Sequence, residues 1–452
     1  MAGIEHVAII GAGFSGTLQA INLLRHKGPR ATLIERGAQA GEGLAYGAAH
    51  PSHVLNVRAG NMSAFPDDPG HFVRWLEARG VVDAAHVFAS RVTFGVYLRE
   101  ILQGAIALSE GRLTVHYGEV VDAVEHDAGV ALTLADGSAL AADGAVLAVG
   151  NLPTHDPPGL DAGALSDDLY KGDPWAGDVA EGLTADDTVL VIGTGLTMVD
   201  VALMLDACGF TGRIVALSRR GLLPRRHASG GEWERIEERP GTVASALLAQ
   251  VRARADAIGW RAAVDELRPF TQPMWANASE AERGRFLRHL RPWWDVHRHR
   301  LAPQVADRLA AMGDSGRLRV VAGKTLGFAA REGEVAMSWR PRGADAAETM
   351  NVRRIVNCTG PLGDLSRTAD PLLVALRDRG AIRPDAGNLG IDVNGVGEVI
   401  DVNGRPSERL YALGPMTRGA FWEIVAVPDI RRQTWDVARR LSNAQWVGGE
   451  GL

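Results

Sequence analysis

The sequence predicts an α/β protein with two three-layer units of related plan. Two observations carry that reading. The order strand, glycine-rich turn, helix, strand occurs near the start of the chain and again in mid-chain. The apolar runs leading into both turns are short and unbroken, as expected for strands buried on both faces of a parallel sheet. A chain of 452 residues has room for two or three domains.

The first run places a strand at His6–Ile10, a turn at Gly11–Gly16, a helix at Thr17–Arg25 and a strand at Ala31–Glu35. Residues 113–150 read as an antiparallel excursion. Its strands are Leu113–Tyr117, Val120–Glu125 and Val130–Leu134, then an Asp136-Gly137 turn and a buried strand at Ala145–Val149. The plan then recurs: strand Thr188–Ile192, turn Gly193–Gly195, helix Leu196–Asp206, strand Arg213–Ser218. Leu318–Val321, Val335–Arg340 and Arg354–Asn357 follow as strands. Pro153–Asp187, rich in Pro, Gly and Asp, reads as a crossing between units. Glu232–Met312 reads as a helical insertion, a lid or a cleft wall. A doubled plan of this kind implies two Rossmann-like dinucleotide-binding domains.

Composition narrows the function. A net charge of −6 argues against a general nucleic-acid binder. Only two cysteines occur, Cys208 and Cys358, and they form no CxxC pair. A dithiol relay is therefore excluded, and the usage suits a reducing, cytoplasmic setting. No apolar run is long enough to cross a membrane, and Val7–Ile10 reads as a strand rather than a leader. No Gly-x-Ser-x-Gly elbow supports hydrolase chemistry.

The first turn, Gly11-Ala12-Gly13-Phe14-Ser15-Gly16, has the residues a pyrophosphate site needs. Gly11 permits the tight turn, Gly13 a close approach of phosphate, and Gly16 tight packing of helix on strand. The helix N-terminus then offers free N–H groups to the anion. Glu35, followed by Arg36, closes the next strand where a carboxylate can accept ribose hydroxyls. The opening position favours FAD over NAD. Gly41–Tyr46 is a second glycine-rich stretch, either passing the cofactor or forming a surface turn.

The second turn keeps the two phosphate-facing glycines in Gly193-Thr194-Gly195-Leu196-Thr197, but Met198 replaces the third. Helix and strand are therefore expected to sit further apart. In place of an acid, the next strand ends in Ser218-Arg219-Arg220. A hydroxyl and two guanidiniums suit a 2′-phosphate, which predicts NADPH over NADH.

With both turns placed, the chain resembles the two-dinucleotide-binding flavoproteins, and within them the bacterial FAD/NAD(P)-binding proteins of the YdhS-like group. The resemblance rests on GAGFSG at 11–16, LNVRAGNMSAFPDD at 55–68, FASRVTFGVYL at 88–98, RFLRHLRPWWDVHRHRLAP at 285–303, NCTGP at 357–361 and YALGPMTRGAFWEIVAVPDIR at 411–431. It implies an FAD domain split by an inserted NAD(P) domain. The parts would be residues 1–155, 156–350 with the helical insertion at 232–312, and 351–445. It also implies crossings at Gly150 and Gly360. Gly414, Pro415 and the residues through Pro428 would lie along the flavin, Asn56, Met62 and Ser63 near its face, and Val121 in the cofactor site. The group is distantly similar to N-hydroxylating and Baeyer–Villiger monooxygenases. Those carry a His-containing signature before the second turn; here Leu169–Trp175 has no His.

The resulting expectation is a soluble, NADPH-dependent FAD oxidoreductase acting on a small molecule, with O2 as a possible second substrate. The alternatives are a dehydrogenase without oxygen insertion and a non-catalytic redox sensor. The Arg/Trp/His-rich stretch 285–303 reads either as a helix packed through its Trp with solvated cations, or as a cationic lining for an anion. Helical spacing puts Trp293 with His297 and Asp295 with His299, while the rings of His297 and His299, two apart, point to nearly opposite sides, an arrangement unsuited to zinc. Cys358 reads as a small core residue, and Arg91 and Tyr97 as candidate cleft residues.

Overall fold

Every residue of His6–Ile10 is buried, because parallel strands pair with it on both sides. The computed structural model describes residues 4–228 and 236–443. Its first sheet runs Glu398–Ile400, Pro406–Ala412, Gly144–Leu147, His6–Ile10, Arg30–Glu35, Leu113–Tyr117. The two ends of the chain thus share one sheet: Leu410–Ala412 pairs in parallel with Ala145–Leu147. The helices Phe14–Arg25 and Val427–Leu441 pack together on this sheet, with Asn22 donating to Thr434 at 3.3 Å.

Leu113–Tyr117 is not part of an antiparallel excursion. It pairs in parallel with Ala31–Glu35 and extends the main sheet. The excursion is a separate three-stranded sheet of Val120–His126, Gly129–Leu134 and Ala139–Ala142. Its third strand is four residues of Ala and Leu, too small and uniform to show alternation in the sequence.

The second sheet runs Glu348–Val352, Glu334–Pro341, Leu318–Arg331, Arg213–Ser218, Thr188–Ile192, Arg354–Asn357, Tyr170–Lys171. The last five pair in parallel, and the first three form an antiparallel extension. Arg354–Asn357 lies beside Thr188–Ile192, so the chain leaves this sheet after Asn357 rather than at 351. Arg354 is fully buried, and its guanidinium donates to the carbonyls of Asp168 and Val179 at 2.7 and 2.8 Å. That pins the incoming crossing to the sheet. The two crossings meet as a short antiparallel pair, Leu152–Thr154 with Pro361–Leu362. Gly150 and Gly360, at φ of 70° and 95°, take the chain into it.

Short helices between Ala244 and Arg298 form the insertion. Its expected start at Glu232 lies outside the described residues, as do Met1–Gly3 and the expected end of the last part at 445. Among the described residues, no helix is long and apolar enough to cross a membrane.

Candidate functional site

The first glycine turn is held by contacts that exclude side chains. Gly11 sits at φ of 101°, and its N–H donates to the Ile34 carbonyl. A Cβ there would lie 2.4 Å from the Ala148 carbonyl oxygen. A Cβ on Gly16 would lie 1.9 Å from the Gly11 carbonyl oxygen. The helix therefore starts pressed against the turn. Gly13 is its N-cap, without a side-chain cap or an acid in the first turn, so the first N–H groups face outward unsatisfied. Phe14 and Ser15 are buried behind it.

Glu35 straddles the turn. It accepts from Ala12 N–H at 2.9 Å and Gly37 N–H at 2.7 Å, while remaining partly open to solvent. Arg36 points elsewhere, to Asp370 at 3.1 Å. The glycine-rich stretch at 41–46 is no free surface turn. Gly41 N–H donates to Ala12, and Gly43 lies so close over Gly13 that a Cβ would come within 2.8 Å of its Cα. Tyr46 packs against Phe14 and Phe94 with ring centroids 6.3 and 4.9 Å apart, and burial pushes its phenol up to about 12.

The returning C-terminal segment reaches the same place. Gly414, at φ of 76°, has room for no side chain because Ser15 Oγ would lie 2.4 Å from its Cβ. Its N–H donates to Gln433, which itself donates to Thr417. Pro415 stands in the first turn of the short helix that follows. Val121 is the residue the antiparallel register skips between Val120 and Asp122, which leaves its backbone outside the ladder. Gly11, Gly13, Gly43 and Gly414 thus form one cradle that side chains would fill, with the Glu35 carboxylate bonded to its turn, and it fits a dinucleotide.

Four expected residues behave differently. Met62 and Ser63 are buried in the core beneath this region, and the Ser63 hydroxyl is used inside its own loop, donating to Asp68 at 2.6 Å. Tyr97 is fully buried and bonds His71, so it lines no cleft. Asn56 lies at the junction of the two units, where its carbonyl accepts from His227 at 2.9 Å.

The second turn repeats the first with looser packing. Gly193, at φ of 114°, sits against the Cys358 carbonyl, 2.1 Å from where a Cβ would be. Gly195 N-caps the helix Leu196–Ala207 without a side-chain cap, and nothing crowds it. Gly195, Leu196 and Thr197 are all at least partly exposed, and Met198 is fully buried. Ser218 does not offer its hydroxyl outward. It bonds Thr194 Oγ1 at 2.8 Å and accepts from Gly221 N–H at 3.0 Å, while Thr194 donates to the Leu222 carbonyl. The serine braces the turn, while Arg219 is exposed and Arg220 partly exposed beside it. Among the described residues Arg220 makes only long contacts, 3.4 Å, to the carbonyls of Arg288 and His289 in the insertion.

The sequence reading missed the joint between the units. Asp200, buried in the helix after the second turn, pairs with Arg91 at 2.7 Å. His53 sets Nε2 against the Asp200 carbonyl at 3.1 Å and packs edge-on to Trp175. Burial raises the Asp200 carboxyl to about 6, with Arg91 opposing, and lowers His53 to about 4. Asp at the eighth position of a glycine turn was the available signal. Cys358 is core, its thiol pushed up by burial.

The stretch 285–303 is neither of the expected alternatives alone. His299 and Arg298 are not solvated; they turn toward the buried Glu423, which accepts from Trp294 Nε1 at 2.8 Å. A π-turn at Phe286–Leu290 breaks the helix. Beside it lies a cavity of about 570 Å³, walled by tryptophans of the insertion and by Trp422. No metal-binding cluster occurs among the described residues.

Residues 8–152 match the model of a family described as FAD-NAD(P)-binding. This stretch is an FAD/NAD(P)-binding domain. Among solved structures, the chain is similar to the L-lysine 6-monooxygenase of Pseudomonas syringae (15% identity, TM-score 0.67, covering 98% of this chain and 100% of that one). It is also similar to the ornithine N-hydroxylase of Kutzneria sp. 744 (14%, 0.64, 98% and 99%) and the thioredoxin reductase of T. acidophilum (11%, 0.53, 97% and 98%). At these identities the likeness establishes the fold alone. The search of curated proteins gave no match to the sequence.

Proposed function

We propose that this chain is an NADPH-dependent FAD oxidoreductase of the YdhS-like group, and specifically a monooxygenase acting on a small organic substrate. The contrast at the ends of two equivalent strands carries the reading. Glu35 is a ribose-binding carboxylate, while the second strand end has no acid and presents Arg219 and Arg220. FAD in the first cradle would accept a hydride from NADPH and deliver electrons to O2 or an organic acceptor.

The residues of the chain position the two cofactors. The uncapped helix ends at Gly13 and Gly195 bind the pyrophosphates. Glu35 orients one ribose, and the bulged backbone at Val121 offers an edge for adenine. Arg91–Asp200, His53–Asp200 and His227–Asn56 join the two units, which holds one ligand against the other and keeps water from the joint. The kinship in fold with N-hydroxylating enzymes supports oxygen insertion. The absence of a His in Leu169–Trp175 favours the second reading, a dehydrogenase.

Mixing the anaerobic holoenzyme with NADPH should bleach the flavin far faster than NADH does. Equal rates would remove the phosphate-site assignment. Readmitting O2 in the presence of substrate should give oxygenated product in step with NADPH consumed. Quantitative H2O2 with every substrate offered would select the dehydrogenase reading instead.

A further inference from the structure

The cavity beside the π-turn has a wall chemistry that restricts what it can hold. Its aromatic walls are Trp260, Trp275, Trp293, Trp294, Phe286 and Trp422. Trp275 and Trp422 stack with centroids 4.7 Å apart, and Phe286 stands edge-on to Trp422 at 5.2 Å. At about 570 Å³ the space is that of a small-molecule site.

The cavity is tied to both nucleotide turns. Trp422 belongs to the return segment that begins at Gly414, against Ser15 of the first turn. Trp275 Nε1 donates to the Gly419 carbonyl of that segment at 2.8 Å. On the other side, Phe286 and His289 of the π-turn line the cavity, and the His289 carbonyl receives Arg220.

The charged groups on the wall decide the rest. Glu282 is the sole carboxylate lining it among the described residues, and it is spent. One oxygen accepts from Ala244 N–H at 2.8 Å, and the other holds Arg285. Arg283 is occupied by the carbonyls of Trp275 and Ala276. Arg252 is exposed at the rim and has no ion pair among the described residues. An ammonium group would find no free carboxylate on this wall among the described residues and would lose its water, whereas a ring system would gain contact on several sides.

We propose that this cavity is the substrate seat, and that the substrate has an aromatic, apolar body with an anionic end directed to Arg252 and no free ammonium. The proposal rests on the oxidoreductase reading and names the substrate class for it. It separates this chain from solved structures of similar fold that are named as lysine, ornithine and cadaverine monooxygenases or hydroxylases.

The test uses the oxidised holoenzyme and reads tryptophan fluorescence, so it needs no turnover. The probes are 2-naphthoate, 2-naphthylmethylamine, L-ornithine, L-lysine, cadaverine and decanoate. Saturable quenching by 2-naphthoate is expected, with the amine of the same body at least tenfold weaker, decanoate weaker than naphthoate, and the three amines silent. Trp293→Ala, at a half-exposed position, should weaken naphthoate about tenfold. Val251→Trp, which fills the cavity, should abolish its binding. Both variants should keep NADPH bleaching of the flavin. Binding of ornithine, lysine or cadaverine above naphthoate, equal affinity for the acid and amine, tighter binding of decanoate, or naphthoate binding untouched by Val251→Trp would each overturn the proposal. A holoenzyme that binds naphthoate but is not bleached by NADPH would instead remove the oxidoreductase reading.

Discussion

The two glycine turns are built on one plan, and three of the equivalent positions at which they differ set them apart. Gly16 corresponds to Met198, Leu18 to Asp200, and Glu35 to Ser218. In the first turn the helix presses on the turn backbone, Leu18 is fully buried in apolar surroundings, and an acid closes the strand. In the second the helix stands off far enough to bury a methionine, a carboxyl enters the joint between units, and cations close the strand. The first two glycines are thus common to both, while the residues behind them set spacing, partner and the charge at the strand end. A fingerprint that lacks its third glycine still keeps the turn and the uncapped helix end when the core behind it buries the larger side chain.

The largest effect should come from forcing the first turn toward the second. Gly16→Met places a side chain where a Cβ already meets backbone 1.9 Å away, and neither partner is a flexible chain end. Overpacking of this kind costs upward of about 3 kcal/mol. The purified protein should lack the 450 nm flavin band, or fail to accumulate in soluble form. Retention of stoichiometric FAD would mean that the two turns are equally loose.

The reverse exchange is gentler. Met198→Ala leaves a cavity in the core of the second unit, at a cost of about 2–5 kcal/mol. Urea unfolding should show that loss, with FAD still bound. A change under about 1 kcal/mol would indicate that the helix collapses onto the strand, as the first one does.

Arg219→Ala with Arg220→Ala tests the strand ends. Both guanidiniums face solvent at least partly, so their loss should raise the KM for NADPH on the order of tenfold, about 1.4 kcal/mol, and leave NADH nearly unchanged. The converse, Glu35→Ala, should lower FAD retention and leave NADPH discrimination intact.

How far these differences could be read from sequence depends on whether they are local. Gly11–Gly16 with Glu35, and Gly193–Gly195 with the Arg219-Arg220 pair, each lie within a single strand–turn–helix–strand unit, where spacing alone assigns their places. The inward turn of the Ser218 hydroxyl was not readable, because it depends on Gly221 and Thr194 coming together. The parallel pairing of Leu113–Tyr117 was hidden for a similar reason: alternation reports a strand and not its neighbour. The joint at Asp200 and the cavity wall at Trp422 bring together residues more than a hundred positions apart. Nothing in either local segment announces its partner.

The joint also yields the subtlest test of the comparison, since a polar group replaces Leu18 only in the second turn. Asp200 has a folded pKa raised from 3.8 to about 6, so the folded state holds its proton while the unfolded state has lost it. Its contribution falls as pH rises from about 4 to about 6. His53 is lowered from 6.5 to about 4, so between those values the unfolded state holds the extra proton. Its contribution rises with pH over nearly the same window. Each slope is at most about 1.4 kcal/mol per pH unit, and the signs oppose. The parent protein should therefore have a nearly flat local pH dependence there. Asp200→Asn should uncover a stability that climbs with pH between about 4 and 6.5, and His53→Gln one that declines between about 4 and 6, by on the order of 1 kcal/mol per unit. Denaturant midpoints across that range, taken as differences from the parent, measure both. Parallel curves for all three proteins would mean that the carboxyl and the imidazole titrate normally, and that the joint is as indifferent to charge as the leucine contact in the first turn.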